Sequence, residues 1–324
     1  MKLSTPVTID APQRPFSLSD KIMLLGSCFV DNMGAKFAAA GFEVCTNPFG
    51  TLYNPASLLA AVERLDSGEP FGLSDCVEMG AGAGRICSFS HHTSFARPTA
   101  EEFLEHANSE LGKAREFWRS ADRVILTLGT SLVWYHDGRA VANCLKRPAA
   151  EFERKMLSVS QISEALQAMI EAHPEKRFTI TVSPIRHLGD GARINTLSKA
   201  RLLLAAAAVA DPAEASENHA TLGCVRGGTA SEAKRWGPKD VSGGLLPRSA
   251  AAAVAADYFP SYEIMMDELR DYRFYADDLV HPSSAAVQYI WERFLETFVS
   301  PSDLQKITEN EKAARIASHR PNLK

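Results

Sequence analysis

The sequence has no apolar run long enough to cross a lipid bilayer, and Met1–Pro6 lacks the apolar stretch of a signal peptide. It also lacks an excess of one charge. Its 35 basic and 39 acidic residues give a net charge of -4, without a basic block before the end of the chain. We therefore expect a soluble, cytoplasmic protein that binds neither membranes nor nucleic acid.

Paired cysteines are absent as well. No CxxC pair occurs, so the pattern indicates reduced and mostly buried thiols rather than a disulfide framework. The pair His91-His92 lacks the HExxH or carboxylate spacing of a metal site, and we expect no metal centre. The six cysteines are at positions 28, 45, 76, 87, 144 and 224.

Apolar runs rich in β-branched residues alternate with amphipathic segments, which predicts an α/β fold with a mostly parallel sheet covered on both faces. The length of 324 residues and the hydrophobic content of 45% allow one large domain. The predicted strands are Lys21–Leu25, Phe42–Cys45, Arg123–Leu128 and Phe178–Val182.

Two capping boxes and a late apolar stripe predict helices that pack on this sheet. Thr99 with Glu102 and Ser158 with Gln161 open the first two helices, and a third stripe runs from Val287 to Phe298. Core packing explains the aromatic residues in these stripes without a cofactor.

The pattern indicates a single domain with an interruption and a tail. Residues 208–256 are rich in Gly, Ala and Pro, which indicates a long insertion rather than a second domain. Residues 301–324 are charged and poor in large apolar side chains, which predicts a peripheral helix or a frayed end.

A candidate nucleophile follows the first predicted strand. Ser27-Cys28 separates the apolar run Ile22–Gly26 from a helical stretch, and such a strand-to-helix turn presents a side chain near free N–H groups. Far along the chain, Asp278 and His281 supply an acid and an imidazole. Together these residues suggest a nucleophile, a base and an orienting carboxylate.

Six motifs in the same order resemble those of the GSCFA-domain family, which is grouped with the SGNH (GDSL-like) hydrolases. The resemblance covers about residues 15–300 apart from the insertion. It implies a flavodoxin-like three-layer α/β/α sandwich, the SGNH-hydrolase fold, with its site at the carboxyl ends of the strands. The motifs are Gly26–Phe29, Asn47–Pro55, Thr127–Ser131, Val182–His187, Tyr258–Pro260 and Asp278–Pro282.

The resemblance also implies catalytic roles, with His281 as base and Asp278 as its orienting carboxylate. Aligning Gly26 with the glycine of the GDS motif puts Cys28 at the serine position, and a thiol beside a helix N-terminus and an imidazole can ionise at neutral pH. Because ester hydrolysis in this superfamily uses serine, a one-residue offset would present Ser27 instead. Cys28 is preferred, and Ser27 remains the alternative.

The oxyanion donors implied are the N–H of the nucleophile and that of Gly50. The resemblance places a third donor, normally an asparagine, at the position of Ser131, so serine there weakens or replaces it. Further candidates for that donor or for substrate binding are Asn47, His92, Asn143 and His187. Family members carry Asn-Cys-His-Lys where this chain has Asn143–Lys146, with Leu145 in place of the histidine.

We therefore expect a hydrolase or acyltransferase that acts on a small-molecule or carbohydrate ester, or a thioester, through a covalent acyl-enzyme and without a cofactor. An O-acetylated sugar is one such substrate. The alternative is a non-catalytic glycan- or metabolite-binding protein on the same fold, suggested by Ser131 and Leu145. A scaffold protein that acts through residues 208–256 is a third interpretation.

Overall fold

The computed structural model describes residues 5–210 and 256–318. Its strands are β1 (Lys21–Gly26), β2 (Glu43–Thr46), β3 (Val77–Glu78), β4 (Ile86–Cys87), β5 (Arg123–Leu128), β6 (Leu132–His136), β7 (Arg139–Val141), β8 (Glu153–Met156), β9 (Arg177–Val182) and β10 (Asp257–Tyr258). Its longer helices are α1 (Cys28–Ala40), α2 (Pro55–Ser67), α3 (Ala100–Ser120), α4 (Val159–Ala172), α5 (Ala192–Ala210), α6 (Ser284–Phe298) and α7 (Leu304–Ser318).

Five strands form a parallel central sheet in the order β10-β9-β5-β1-β2. Numbered along the chain, these strands have the order 2-1-3-4-5, which is the order of flavodoxin-like folds. The prediction of a three-layer α/β/α sandwich is therefore confirmed. All four predicted strands are present, each within one residue of its predicted ends.

Apolar side chains on the two faces of the sheet form two separate cores, because successive residues of a strand point in opposite directions. Met23 and Leu25 pack into a core that includes residues of α2, α3, α4 and α5. Ile22 and Leu24 pack into the second core, with α1, α6 and α7. In that second core the Phe37 ring packs edge-on against the Trp291 ring, with centroids 4.9 Å apart.

The predicted helix starts are present. The Thr99 hydroxyl accepts a hydrogen bond from Glu102 N at 3.2 Å, and Ser158 and Gln161 form a reciprocal capping box. The third predicted stripe is α6. The predicted tail contains α7, which is anchored by Ile307, 1% exposed, in the second core.

Both ends of the predicted insertion at about residues 208–256 include described residues. Residues 208–210 continue α5, where Val209 is already buried, and Ala256 is buried at the other end. The remaining part of the predicted insertion, residues 211–255, lies outside the described residues. No helix within the described ranges is long and apolar enough to span a bilayer.

Candidate active site

The turn between β1 and α1 fixes the position of Cys28. Gly26 has a φ of +155°, and a Cβ at this position would lie 2.5 Å from the carbonyl oxygen of Thr127 on β5. Only glycine fits here without displacing a neighbouring strand. The chain then turns at Ser27, so Cys28 is the first residue of α1 and its N–H has no partner within the helix.

The structure brings Cys28, His281 and Asp278 into one chain of contacts. Cys28 Sγ lies 3.3 Å from His281 Nε2, and His281 Nδ1 lies 2.6 Å from Asp278 Oδ2. Both distances are within hydrogen-bonding range. The thiol is partly buried, whereas the His281 and Asp278 side chains are 43% and 49% exposed.

A tight turn holds Asp278 and His281 in this arrangement. Asp278 Oδ1 accepts hydrogen bonds from the backbone N–H groups of Val280 at 2.8 Å and His281 at 3.0 Å. Leu279 between them has a φ of +55°. The backbone donors at His281 and Val280, followed by the His281 ring, lower the pKa of Asp278 to about 2.

The ionised Asp278 sets the tautomer of His281. A carboxylate can only accept a hydrogen bond, so Nδ1 must carry the ring proton when the imidazole is neutral. Nε2 then has its lone pair directed at the Cys28 thiol. This is the arrangement that general-base activation of a nucleophile requires.

Ser27, the alternative nucleophile, does not contact the imidazole. Its side chain is fully buried, and its hydroxyl donates to Ser183 Oγ at 2.9 Å, behind the turn. The alignment that assigned the nucleophile to Cys28 therefore agrees with the geometry. Ser27 acts as the N-cap residue of α1, although its side chain makes no capping hydrogen bond.

The surroundings of Cys28 disfavour its thiolate form. Burial raises the pKa of the Cys28 thiol above its ordinary value, and the charges of Asp31 and Asp278 act in the same direction. The backbone N–H of Cys28 and the Tyr53 hydroxyl oppose this effect. The resting pair is thus a neutral thiol and an imidazole.

Tyr53 belongs to the site and was not predicted as a site residue, although it lies within the Asn47–Pro55 motif. Its hydroxyl lies close enough to the Cys28 thiol to lower the thiol pKa, and it accepts a hydrogen bond from Thr51 Oγ1 at 3.2 Å. Burial raises the pKa of Tyr53, so the phenol keeps its proton and remains a donor.

Two predicted binding residues have structural roles instead. The N–H of Gly50 donates to Asn47 O at 2.8 Å and closes a turn, so it is not free for an oxyanion. The Asn47 amide links β1 to α1: its Oδ1 accepts from Gly26 N at 2.9 Å and its Nδ2 donates to Asp31 Oδ1 at 2.7 Å. These hydrogen bonds correct both assignments.

Ser131 also has a structural role. It is fully buried, and both its N–H and its hydroxyl donate to Ser198 Oγ on α5, at 2.7 and 3.1 Å. Both donors of Ser131, the candidate at the third-donor position, are therefore used within the protein, in keeping with the expectation that serine there weakens or replaces this donor. The sequence could not distinguish these roles, because the partner lies 67 residues further along the chain.

His187 lies at the edge of the site. Its ring packs edge-on against Tyr53 with centroids 5.8 Å apart, and a Cβ on Gly129 would lie 3.3 Å from its Nε2. That nitrogen is buried without a hydrogen-bond partner among the described residues. Burial, with the nearby charge of Lys199, lowers the pKa of His187 to about 4, so its imidazole is neutral at pH 7.

The remaining candidates make their contacts away from the thiol. His92 Nδ1 pairs with Ser94 at 3.0 Å, although the His92 Cβ approaches Gly50. Asn143 Oδ1 accepts from the N–H of Leu145 at 2.8 Å. Leu145 is completely buried in the first core, so its replacement of the family histidine changes the core rather than the surface around Cys28.

A second residue that was not predicted is Lys199 on α5. It is 1% exposed and donates to the carbonyl oxygens of Gly129 at 2.7 Å and Ser183 at 2.6 Å, directly after β5 and β9. Helical periodicity could have predicted its burial, because Lys199 lies on the same helix face as the apolar residues Leu202 and Ala206.

The fold and the site define a parallel α/β protein in which a cysteine, a histidine and an aspartate contact one another at the carboxyl ends of the strands. A family model described as the GSCFA family matches residues 21–219 and 246–294. The chain therefore belongs to the GSCFA family. Neither a curated protein nor a solved structure matches it.

Proposed function

We propose that this protein is an SGNH-type hydrolase or acyltransferase that uses Cys28 as its nucleophile on small esters or thioesters, O-acetylated carbohydrates among them. The observation that carries the proposal is the continuous chain from Cys28 Sγ through the His281 ring to the Asp278 carboxylate. A thiol and an imidazole within hydrogen-bonding distance suit proton transfer that accompanies nucleophilic attack.

In the acylation step, Cys28 Sγ bonds to the substrate carbonyl carbon while His281 Nε2 takes the thiol proton. The carbonyl oxygen becomes an oxyanion, which collapses as the leaving alcohol or thiol departs with the proton from His281. Water or an acceptor alcohol then attacks the thioester with the same base. The products are the free acid or the transferred ester, together with the regenerated thiol.

The oxyanion would be stabilised at the N-terminus of α1. The Cys28 N–H lacks an intrahelical partner and adds the positive end of the helix dipole. We assign the second donor to His187, because its Nε2 is buried, unpartnered and neighbours Gly129 and Tyr53. This imidazole would take the place of the asparagine that Ser131 replaces.

The test is a panel of acetyl and short-chain aryl esters and thioesters, read by hydrolysis and by intact mass. The wild-type protein should gain one acyl group on Cys28, and Cys28→Ala should abolish both acyl gain and turnover. Ser27→Ala, the matched control at the same turn, should retain turnover. Acylation that persists in Cys28→Ala and is lost in Ser27→Ala would reverse the assignment.

The alternative function, binding without catalysis, is favoured by one observation. Gly50 and Ser131, two of the oxyanion donors considered, use their donor groups within the protein. A binding protein of this kind would show saturable binding of acetylated sugars in calorimetry, with neither acyl gain nor hydrolysis across the panel.

A further inference from the structure

Lys199 is a buried cation without an acidic partner. Its ammonium donates to two backbone carbonyls and lies 5.8 Å from the centroid of the Tyr262 ring, and no carboxylate within the described ranges forms an ion pair with it. Removing an unpaired charge from water is costly unless another group compensates. A neutral donor could also bind two carbonyls. The presence of a lysine at this buried position therefore needs a further explanation.

Two short paths connect Lys199 with Cys28. On one side Lys199 binds the carbonyl of Ser183, whose hydroxyl accepts from Ser27, the neighbour of Cys28. On the other side it binds the carbonyl of Gly129, whose N–H donates to the carbonyl of Tyr53 at 2.9 Å. The ammonium thus lies directly behind the loops that surround the thiol.

We propose that Lys199 is a positioning residue whose buried ammonium holds the ends of β5 and β9 and stabilises the negative charge that develops on Cys28 Sγ. The proposal rests on the proposed role of Cys28 as nucleophile. Opposite charges in a low-dielectric interior favour each other's ionised forms. A merely structural Lys199 would support the loops without changing the acidity of the thiol.

The electrostatic coupling acts on the pKa of Lys199, whereas Lys199 is not among the groups that shift the pKa of Cys28. Burial lowers the pKa of Lys199 to about 7, and a negative charge on Cys28 opposes that shift. Lys199 is therefore charged below about pH 7 and loses its effect above this pH. The other titratable groups that face Cys28 or Lys199 are Asp31 on α1, Tyr53 before α2, His187 after β9, Tyr262, Asp278 and His281.

The experiment measures the rate of Cys28 alkylation by iodoacetamide from pH 6 to 10, using peptide-resolved mass spectrometry. In Lys199→Met we expect a rate about tenfold lower at pH 6.5 that converges with the wild-type rate above pH 9. Cys144 in the same sample reports general changes in thiol reactivity. Because alkylation needs no substrate, the result does not depend on whether any ester is hydrolysed.

Lys176 provides the matched control. It is also buried, and it donates to the carbonyls of Trp118 and Ala121, but it lies next to the opposite end of β9. Lys176→Met should leave the Cys28 profile unchanged. The proposal would be overturned if the ratio of the Cys28 alkylation rates of wild type and Lys199→Met did not change with pH. Identical pH profiles of alkylation for wild type and folded Lys199→Met would also overturn it.

Lys199→Gln, which retains a donor for one carbonyl, is made in parallel in case the methionine variant does not fold. If neither variant folds, the proposal is tested in His281→Ala, which lacks the imidazole and therefore removes its contribution to the pH profile. In this variant, the logarithm of the Cys28 alkylation rate plotted against pH should change slope near pH 7, because Lys199 loses its charge there. A logarithmic rate that rises with a constant slope of one per pH unit from pH 6 to the thiol pKa would overturn the proposal.

Discussion

At the residue scale, Asp278, the carboxylate proposed to orient His281, is 49% exposed, in contrast to the buried acids of serine-protease triads. Water can partly replace such a group. We expect Asp278→Asn to lower turnover by about 10- to 1000-fold, less than the roughly 10⁴-fold loss in a buried triad, because an amide favours the wrong imidazole tautomer. The measurement is kcat for the best ester of the panel.

The neighbouring exposed residue gives the control for this prediction, since Asp277→Asn removes a similar charge from the same loop. It should leave kcat within about twofold. The depressed pKa of Asp278, about 2, keeps its carboxylate ionised in the folded protein. Its contribution to stability is complete above about pH 4 and is lost as the pH falls through 2. Unchanged turnover in Asp278→Asn would refute the orienting role.

Single residues also show how far the sequence could predict the site. Cys28, Asp278 and His281 were predictable because each lies in a motif whose chemistry depends on local spacing. Tyr53 and Lys199 act through contacts between distant segments, which spacing does not reveal. Gly50 and Ser131 are present at the expected positions, but a local turn occupies the Gly50 N–H and a tertiary hydrogen bond occupies the Ser131 hydroxyl.

At the scale of elements, the turn from β1 into α1 determines whether the thiol reaches His281. Gly26→Ala would place a Cβ 2.5 Å from Thr127 O and 2.9 Å from Val30 Cγ2, at a φ that L-residues rarely adopt. We expect a loss of about 2–4 kcal/mol in the free energy of unfolding, from backbone strain and overpacking together. Urea denaturation measures this loss.

Gly112→Ala is the matched control, because Gly112 lies within α3 and a Cβ there would meet no atom within 4 Å. This variant should be more stable by about 0.5–1 kcal/mol, since alanine favours the helix. Equal effects of the two substitutions would mean that the close approach at Gly26 is relaxed in solution.

The antiparallel strands that the sequence did not predict share a physical feature. The central parallel strands are buried on both faces and appear as continuous apolar runs. The strands of the two small antiparallel sheets, β3-β4 and β7-β6-β8, have two to five residues each, and several are polar and exposed. Their pairing depends on neighbours rather than on a periodic pattern.

At the scale of the whole molecule, the strand order places the site where the chain reverses direction across the sheet. β1 and β5 are neighbours, with β2 outside one and β9 outside the other, so the loops after β1, β5 and β9 converge. Cys28, Gly129 and Ser183 follow these three strands. The topology thus brings together residues that lie more than 150 positions apart in the sequence.

The family match leaves residues 220–245 uncovered between two matched ranges, which indicates that this segment is not needed for the shared fold. We expect its deletion to change the melting temperature by less than about 3 °C, corresponding to roughly 1 kcal/mol, and to preserve the alkylation of Cys28. The control deletion removes α7, where Ile307 is buried and Asn310 donates to the Ala40 carbonyl. That deletion should lower the melting temperature clearly. If deletion of residues 220–245 unfolds the protein, the segment stabilises the fold directly and cannot be a dispensable insertion.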